Sequence, residues 1–400
     1  MKTISGGVTA PLGFKAGGVA CGIKKNQQAD LALIYSQVPA VAAGIFTTNQ
    51  VQAAPVILSK EFLKKGKAQA IIANSGNANA CVGATGMEAA RRMAAAAGKA
   101  LNIPMDSVLV ASTGVIGVAL PVERIEKALA EKADFLSDAG SPAAARAIMT
   151  TDTFPKEAAV EIELGGAPVR IGGIAKGSGM IHPNMATMLG FITTDAKIEQ
   201  ALLRKAIAAA GDRSFNRITV DGDTSTNDCL LVLANGLAGN KPITSENEDY
   251  QTFLQALTGV CLELAKMIAR DGEGATKLVE ITVRGARTEA EAVQVGKAVA
   301  ASNLVKTALF GEDANWGRIL AAVGYSGVKI DPDRIHIYLG DLSVYQNGTG
   351  LVFDEAKAKE ILSGKEIRIK IDLGGGAAAA SVWTCDLSYD YVKINGSYRS

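Results

Sequence analysis

The amino-acid sequence predicts a layered α/β protein that combines mixed sheets with helices. Short segments rich in β-branched residues, mostly bounded by Gly, Asn or Asp, are interspersed with longer stretches of helical periodicity. The two kinds of segment follow one another without strict alternation, which favours mixed sheets. The 400 residues exceed what one hydrophobic core comfortably supports, so we expect two domains or one large two-lobed unit.

The predicted strands are short and apolar, and each is justified by its β-branched content and its flanking turn residues. They lie at residues 31–36, 41–46, 68–73, 108–112, 158–164, 189–193, 230–234, 278–283, 334–339, 367–371 and 391–394. Helices are predicted at residues 86–101, 122–136, 198–210 and 246–270 from apolar residues at helical spacing. The last of these follows Ser245 and has acidic residues in its first turn, which is typical of a helix start.

Composition and charge exclude several classes of protein. Hydrophobic residues make up 48% of the chain but aromatic residues only 5%, so Ala, Val, Ile and Leu must fill the core. The 41 basic and 40 acidic residues leave a net charge of +1, and nothing in this balance indicates binding to nucleic acid or to a membrane surface. We expect no signal peptide and no apolar run long enough to span a bilayer.

The cysteines and histidines bound the redox and metal chemistry. The five cysteines are far apart and form no C-x-x-C, which indicates reduced, buried thiols in a cytoplasmic protein. His182 and His336 are the only histidines, too few for a multi-histidine metal site or a convincing Ser-His-Asp triad. Residues 216–228 include several acids but lack calcium-loop spacing, and we interpret them as a polar loop that supports the site. We therefore predict no metal and no cofactor.

The most distinctive stretch is glycine-rich, then bent by a proline. Residues 175–189 read AKGSGMIHPNMATML. Glycines permit close approach, Pro183 fixes a bend, and Ala186 leaves its carbonyl unshielded. Attack by the Thr187 hydroxyl on that carbonyl would cut the Ala186–Thr187 bond, and the freed α-amine of Thr187 could then activate its own hydroxyl. Taken alone, Thr187 is better explained as the start of a strand after a tight turn formed by Gly172-Gly173 and the following glycines.

This stretch resembles the maturation motif of the ornithine acetyltransferase family, also called the glutamate N-acetyltransferase family. The resemblance recurs in order along essentially the whole chain. Its further motifs are ANSGNANA at 73–80, ASTGVIG at 111–117, MTTDT at 149–153, RDGEGATK at 270–277, NWGR at 315–318 and NGSYRS at 395–400.

The resemblance implies a self-processed enzyme of arginine biosynthesis. It implies cleavage into fragments 1–186 and 187–400, joined noncovalently, with an α2β2 assembly expected. An acetyl group would pass from N2-acetyl-L-ornithine to Thr187 and then to L-glutamate, with acetyl-CoA left open as a second donor. The implied fold is a two-lobed sandwich of sheets and helices, similar in layering to the N-terminal nucleophile hydrolases but differently connected.

The resemblance also implies roles for individual residues. Thr187 is the implied nucleophile, and Thr113 with Gly114 the implied oxyanion hole. The implied substrate contacts are Thr150, Lys176, Thr187, Glu273, Asn395 and Ser400. Spacing alone would make Thr113-Gly114 an ordinary turn at a strand end and Glu273 a solvated loop acid. Lys176 does not belong to a P-loop, because glycine follows it where a P-loop has glycine before the lysine.

Two other functions stay open. A self-processed aminopeptidase or amidase would use the same nucleophile with water as the acceptor. A non-enzymatic phosphate- or nucleotide-binding protein would use the glycine loops without cleavage. The set of charged and polar substrate contacts favours the transferase, since water needs none of them.

Overall fold

A computed structural model of the chain describes residues 1–131, 133–182 and 188–397. These residues form two compact units. The first unit comprises residues 1–131, 133–177, 188–216 and 224–268, and the second comprises residues 178–182, 217–223 and 269–397. Each unit therefore contains chain from both sides of the predicted cleavage site. The predicted fragments 1–186 and 187–400 mark a chemical boundary, which is distinct from this division by packing.

The first unit is organised around a nine-stranded mixed sheet. Its strands are β1 (Lys2–Ile4), β2 (Phe14–Val19), β3 (Leu31–Phe46), β4 (Lys67–Asn77), β5 (Val108–Val115), β6 (Lys156–Leu164), β7 (Ala167–Lys176), β8 (Leu189–Thr194) and β9 (Cys229–Ala234). Their order is β1-β6-β7-β8-β9-β3-β4-β5, with β2 paired to β3. The pairs β4–β5 and β8–β9 are parallel, and the remaining pairs are antiparallel.

Six helices belong mainly to this unit: α1 (Ala54–Phe62), α2 (Ala84–Leu101), α3 (Val122–Glu131), α4 (Ser141–Ala147), α5 (Gln200–Asp212) and α6 (Glu248–Arg270). The core beneath them is built almost wholly from Ala, Val, Ile and Leu, as the low aromatic content predicts. Helix α1 packs on β5, α4 on β2 and β3, and α5 on β3. This arrangement of helices on a mixed sheet confirms the predicted fold class.

Helix α6 is long and apolar enough to cross a membrane by length and composition, contrary to the expectation of no such segment. One face of this helix is buried, with Tyr250, Phe253 and Leu257 each at most 1% exposed. A Cβ added at Gly173 of β7 would lie 3.0 Å from Leu264 of α6, so the helix lies close against the sheet. The apolar face of α6 is therefore that of a core helix packed on a strand.

The second unit contains a six-stranded sheet and its helices. The strands are β10 (Leu278–Ala286), β11 (His336–Leu339), β12 (Leu342–Gln346), β13 (Thr349–Gly350), β14 (Glu366–Asp372) and β15 (Ala378–Cys385), in the order β13-β12-β11-β14-β10-β15. The helices are α7 (Glu289–Ala300), α8 (Asn303–Phe310), α9 (Trp316–Gly324), α10 (Glu355–Ser363) and α11 (Tyr389–Gly396). Helix α7 packs on β10 and β15 over an aliphatic core. Two sheets with helices on them thus make a mixed α/β protein.

Several predicted elements are wrong in type or extent. Residues 391–394 were predicted as a strand but lie in α11, whose first turn is capped by the Ser388 hydroxyl accepting the N–H of Asp390. Residues 31–36 and 41–46 form one strand, β3, and its register shifts between Tyr35 and Ala40, around Pro39. The helix predicted over 122–136 ends at Glu131, and a short 3₁₀ turn follows at Ala133–Phe135.

The cysteines are all free, as expected, but they are not all buried. Cys229, Cys261 and Cys385 are buried, Cys21 is half-buried and Cys81 is exposed. Burial raises the pKa of the Cys229 and Cys261 thiols far above their usual range. These buried thiols behave as small apolar side chains of the core.

Candidate functional site

The predicted oxyanion-hole residues lie at the carboxyl end of β5, beside the carboxyl end of its parallel neighbour β4. Strand β5 does not stop at Ser112 as predicted but continues through Thr113 and Gly114 to Val115. The register is irregular here, because Asn77 of β4 pairs with both Thr113 and Val115. Such an irregularity turns backbone groups away from the regular ladder, which is what an anion-binding turn requires.

Gly114 is the residue that makes this irregularity sterically feasible. Its φ is +132°, a conformation that side chains with a Cβ rarely adopt. A Cβ at this position would lie 2.3 Å from the carbonyl carbon of Gly76 and 2.5 Å from the backbone nitrogen of Asn77. The two strand ends therefore approach as closely as the backbone allows, and only glycine fits at position 114.

A network of amide side chains fixes the ends of β4 and β5. Ser112 Oγ donates to Asn74 Oδ1 (2.6 Å), and Asn74 Nδ2 donates to the carbonyl of Asn77 (2.9 Å). From the polar loop, Asn227 Nδ2 donates to the carbonyls of Ser112 (2.9 Å) and Ala78 (2.5 Å). Asn74 and Ser112 are fully buried and Asn227 nearly so. Buried and mutually bonded, these groups hold the Thr113-Gly114 backbone in one arrangement.

Thr150 and Lys176 are connected through a single buried carboxylate. Asp152 Oδ2 accepts the backbone N–H of Thr150 at 2.9 Å and lies 3.9 Å from Nζ of Lys176. Asp152 Oδ1 accepts from Nζ of Lys156 at 2.7 Å and from the N–H of Gly177 at 2.8 Å. Although burial opposes ionisation, the two lysines and these hydrogen bonds hold the pKa of Asp152 well below its usual range. Asp152 is therefore a charged buried group that organises its neighbours.

A second buried carboxyl, that of Asp228, has its pKa shifted in the opposite direction. Asp228 directly precedes β9, is 3% exposed, and its Oδ2 has no hydrogen-bond partner among the described residues. Burial raises the pKa of Asp228 well above its usual range, although Lys176 acts in the other direction. A carboxyl of this kind keeps its proton to a higher pH than an exposed aspartate does.

In the second unit, Glu273 and Asn395 are in direct contact. Asn395 Nδ2 donates to Glu273 Oε2 at 2.7 Å, and the Glu273 carboxylate is nearly buried. A Cβ added at Gly179 would lie 2.3 Å from that carboxyl, so glycine is what lets the acid approach. The N–H of Glu273 donates to the carbonyl of Ser178 at 3.0 Å. Glu273 is therefore a fixed acid and not the solvated loop residue that spacing alone suggested.

Asp221 holds the segment that precedes the predicted cleavage site. Its two oxygens accept the N–H groups of Met180 (2.6 Å) and Ile181 (2.8 Å), and the Tyr391 hydroxyl donates to Oδ2 at 3.3 Å. Met180 has φ of +55°, which is unusual for a residue with a long side chain. Next to this segment, burial lowers the pKa of His182 below its usual value, with the charge of Lys297 as a further cause. The segment is thus held in a conformation that the chain would not adopt by local preference.

Three predicted site residues lie outside the described residues: Ala186, Thr187 and Ser400. Their roles stay predictions. Among the residues that the structure does describe, no group of three or more His, Cys, Asp or Glu could hold a metal ion.

Sequence reasoning missed the residues that support the site. Asn74, Asn77 and Ser112 lie inside motifs that were identified, but nothing in the sequence assigned them to a network. Asp152 was likewise part of a quoted motif without a role. Lys24 gave no signal at all, yet its stem lies 3.1 Å from the position of a Cβ at Gly76. The available clue was the density of Asn, Ser and Asp at the ends of predicted apolar strands.

Comparison with known proteins places the chain in a family. The model of the ArgJ family matches residues 15–400. The chain belongs to the ArgJ family. It is 57% identical over 402 residues to the arginine biosynthesis bifunctional protein ArgJ of Symbiobacterium thermophilum, covering all of both chains. It is 54% identical to the protein of the same name from Caldanaerobacter subterraneus, again over the full length of both.

A solved ArgJ family structure covers part of the chain. The crystal structure of arginine biosynthesis bifunctional protein ArgJ from Bacillus halodurans is 47% identical, with a TM-score of 0.52. It covers 53% of this chain and 100% of its own. The likeness to the ArgJ family therefore holds in sequence across the chain and in structure over about half of it.

Proposed function

We propose that the protein is a glutamate N-acetyltransferase of the ornithine acetyltransferase type, acting in arginine biosynthesis. The reaction moves the acetyl group of N2-acetyl-L-ornithine to L-glutamate. The observation that carries the proposal is full-length identity of 57% to a relative named as an arginine biosynthesis bifunctional protein. The fixed Thr113-Gly114 turn supports it, because acyl transfer needs donors placed in advance for a developing oxyanion.

The proposed reaction has two halves. The α-amine of Thr187 takes the proton of its own hydroxyl, which attacks the acetyl carbonyl of N-acetylornithine. Thr113 and Gly114 stabilise the oxyanion, ornithine leaves, and an acetyl-Thr187 ester remains. The amine of glutamate then attacks this ester, the bond to the Thr187 oxygen breaks, and N-acetylglutamate leaves. The proton lost by the amine restores the Thr187 hydroxyl. Thr150, Lys176, Glu273, Asn395 and Ser400 bind the amino-acid portions of both substrates, and acetyl-CoA is a candidate second donor because the relatives are named bifunctional.

Self-cleavage at Ala186–Thr187 is part of the proposal, because it creates the free amine that the mechanism needs. The size of the solved Bacillus halodurans chain supports it, since that whole chain matches 53% of this one. Residues 187–400 are 214 of the 400 residues, a share of the same size. We also propose an α2β2 assembly of the two fragments and, from the five free cysteines, a cytoplasmic location.

The test is a denaturing gel combined with a two-substrate assay. Purified protein should run as two fragments, the second beginning Thr-Met-Leu-Gly, whereas Thr187→Ala should stay whole and inactive. Incubation with N-acetylornithine alone should add one acetyl group to the 187–400 fragment, and double-reciprocal plots with both substrates should be parallel. Active wild-type protein that stays intact would exclude Thr187 as the nucleophile.

The amidase alternative makes a different prediction in the same assay. A hydrolase releases ornithine from N-acetylornithine equally fast with and without glutamate, whereas the transferase depends on glutamate. Lys176→Met should reduce glutamate-dependent turnover far more than the slow hydrolysis of the acetyl-enzyme.

A further inference from the structure

Asp152 occupies a position that the proposed mechanism does not yet use. Its side chain is completely buried, as is that of Lys156, and the side chain of Lys176 is only 8% exposed. Lys156 begins β6 and Lys176 ends β7, and pairing of these strands sets Lys156 opposite Ala175. Two ammonium groups from neighbouring strands therefore meet one carboxylate from the loop after α4.

The two lysines are held differently. Lys156 Nζ is 2.7 Å from Asp152 Oδ1, a full charge-assisted hydrogen bond. Lys176 Nζ is 3.9 Å from Oδ2, close enough for attraction but too far for a hydrogen bond. Within the described chain, the Lys176 ammonium makes no shorter polar contact, so its donors remain available for another carboxylate. The next cation, Lys24, is engaged elsewhere, because its Nζ donates to the carbonyl of Ala29 at 3.0 Å.

Asp152 also fixes two stretches of backbone. It accepts the N–H of Thr150 and the N–H of Gly177, residues that flank or belong to the predicted substrate contacts. One side chain therefore sets the position of Thr150, the direction of Lys176 and the path of the chain directly after Lys176. No surface salt bridge could do this, because an exposed pair leaves both side chains free to move.

We propose that Asp152 is a positioning residue for substrate binding: it holds Lys176 and Thr150 where they meet the carboxylate of the amino-acid substrate, while Lys156 anchors Asp152 itself. This inference rests on the proposed function. It adds that the specificity of the site for an α-carboxylate depends on a carboxylate that never touches the substrate.

The test compares substrates with and without a carboxylate. Wild type and Asp152→Asn are assayed with N-acetylornithine and glutamate, and in parallel with p-nitrophenyl acetate and hydroxylamine, which carry no carboxylate. Asp152→Asn should lower kcat/KM for N-acetylornithine about 10- to 100-fold, the scale on which a misplacement of ~1 Å acts. Its rate with the uncharged pair should stay within about threefold of wild type. Equal losses with both pairs, or no loss with either, would overturn the proposal.

A double variant separates positioning from charge and guards against misfolding. Asp152→Asn/Lys156→Met removes both members of the buried pair, which proteins tolerate better than loss of one member. If Asp152 positions Lys176, kcat/KM for N-acetylornithine stays low in this variant. Recovery to within about threefold of wild type would show that only local charge matters, and the proposal would be wrong.

The control for losing any buried carboxylate is Asp195→Asn. Asp195 is 1% exposed and accepts two backbone N–H groups, from Leu12 at 2.9 Å and Arg170 at 2.7 Å, just past the end of β8 that is remote from Lys176. Asp195→Asn should lower the free energy of unfolding. It should not lower kcat/KM for N-acetylornithine more than the rate with the uncharged pair. Wild type that transfers no acetyl group at all would instead count against the proposed function, so the two failures are distinguishable.

Discussion

Among single residues, Gly114 shows most directly how backbone geometry limits what the sequence can contain. Gly114→Ala should reduce kcat on the order of 10²–10³-fold, the effect of losing one oxyanion donor, because the added Cβ pushes apart the ends of β4 and β5. Gly117→Ala is the matched control: its φ is +80°, but no atom of the described residues lies within 4 Å of an added Cβ. Steady-state kinetics of both variants provide the comparison. If Gly117→Ala is equally impaired, positive φ and not the close approach is the cause.

Asp228 gives a pH dependence of defined sign. Its folded-state pKa is raised above the unfolded value of about 3.9, so the folded protein holds the proton more tightly. Its contribution to stability is complete below about pH 4 and is lost as pH rises through the folded pKa, by at most ~1.4 kcal/mol per pH unit. Asp228→Asn removes this loss.

The measurement for Asp228 is urea unfolding between pH 4 and 8 in an uncleaved Thr187→Ala background. The free energy of unfolding of Asp228→Asn should exceed that of its parent most at the highest pH, and the difference should shrink toward pH 4. Parallel curves for the two proteins would contradict a raised pKa.

The sequence predicted roles only for residues that belong to recognised motifs. Thr113, Gly114, Thr150, Lys176 and Glu273 could be named from the sequence, but their supporting partners could not. Asp152 contacts residues 150, 156, 176 and 177, which two strands and a turn bring together. Burial of Asp228 likewise depends on its place at the start of a fully buried strand. Sequence spacing contains neither kind of information.

At the scale of elements, β7 shows why glycines in a strand were hard to interpret. Gly172 and Gly173, considered as part of a tight turn, lie in the middle of this strand. Their neighbours lie on opposite faces of the sheet: a Cβ at Gly172 would lie 1.8 Å from the carbonyl oxygen of Gly7, and one at Gly173 would lie 2.5 Å from a side-chain carbon of Ile192. The glycines therefore permit close packing on both faces.

These contacts predict unequal effects of two adjacent substitutions. Gly173→Ala should cost about 1–3 kcal/mol, because flexible side chains of Ile192 and Leu264 can shift. Gly172→Ala should cost more than ~4 kcal/mol or prevent folding, because it meets a backbone oxygen. Urea unfolding of both variants tests the order, which equal losses would contradict.

Other elements were recognised where apolar patterning was strong. Strands β4 and β9 fall close to their predicted positions, since nearly continuous burial needs nearly continuous apolar residues. Strand β14 does so for another reason, because its buried isoleucines alternate with charged residues. Strands rich in Gly and Ala, such as β2 and β15, were missed because small residues carry little strand propensity. Helix α11 was mistaken for a strand because Val392 and Ile394 are β-branched.

At the scale of the whole molecule, the proposed cut would pass through the central sheet of the first unit. Strands β8 and β9 belong to residues 187–400, yet β8 pairs with β7 and β9 pairs with β3, both from residues 1–186. Mature protein should therefore elute from size exclusion as one species without denaturant, although it gives two bands on a denaturing gel. Separation of the fragments in native buffer would contradict this arrangement.

The insertion of β8 and β9 also makes the order of folding and cleavage matter. In an uncut chain these two strands find their neighbours within one molecule, and closing even a long loop costs little. After the cut, the same pairing becomes a second-order encounter whose rate depends on concentration. A mature molecule that unfolds would refold and reassemble slowly, and at low concentration hardly at all. Its working life would then be set by how fast it unfolds and not by the equilibrium between folded and unfolded states.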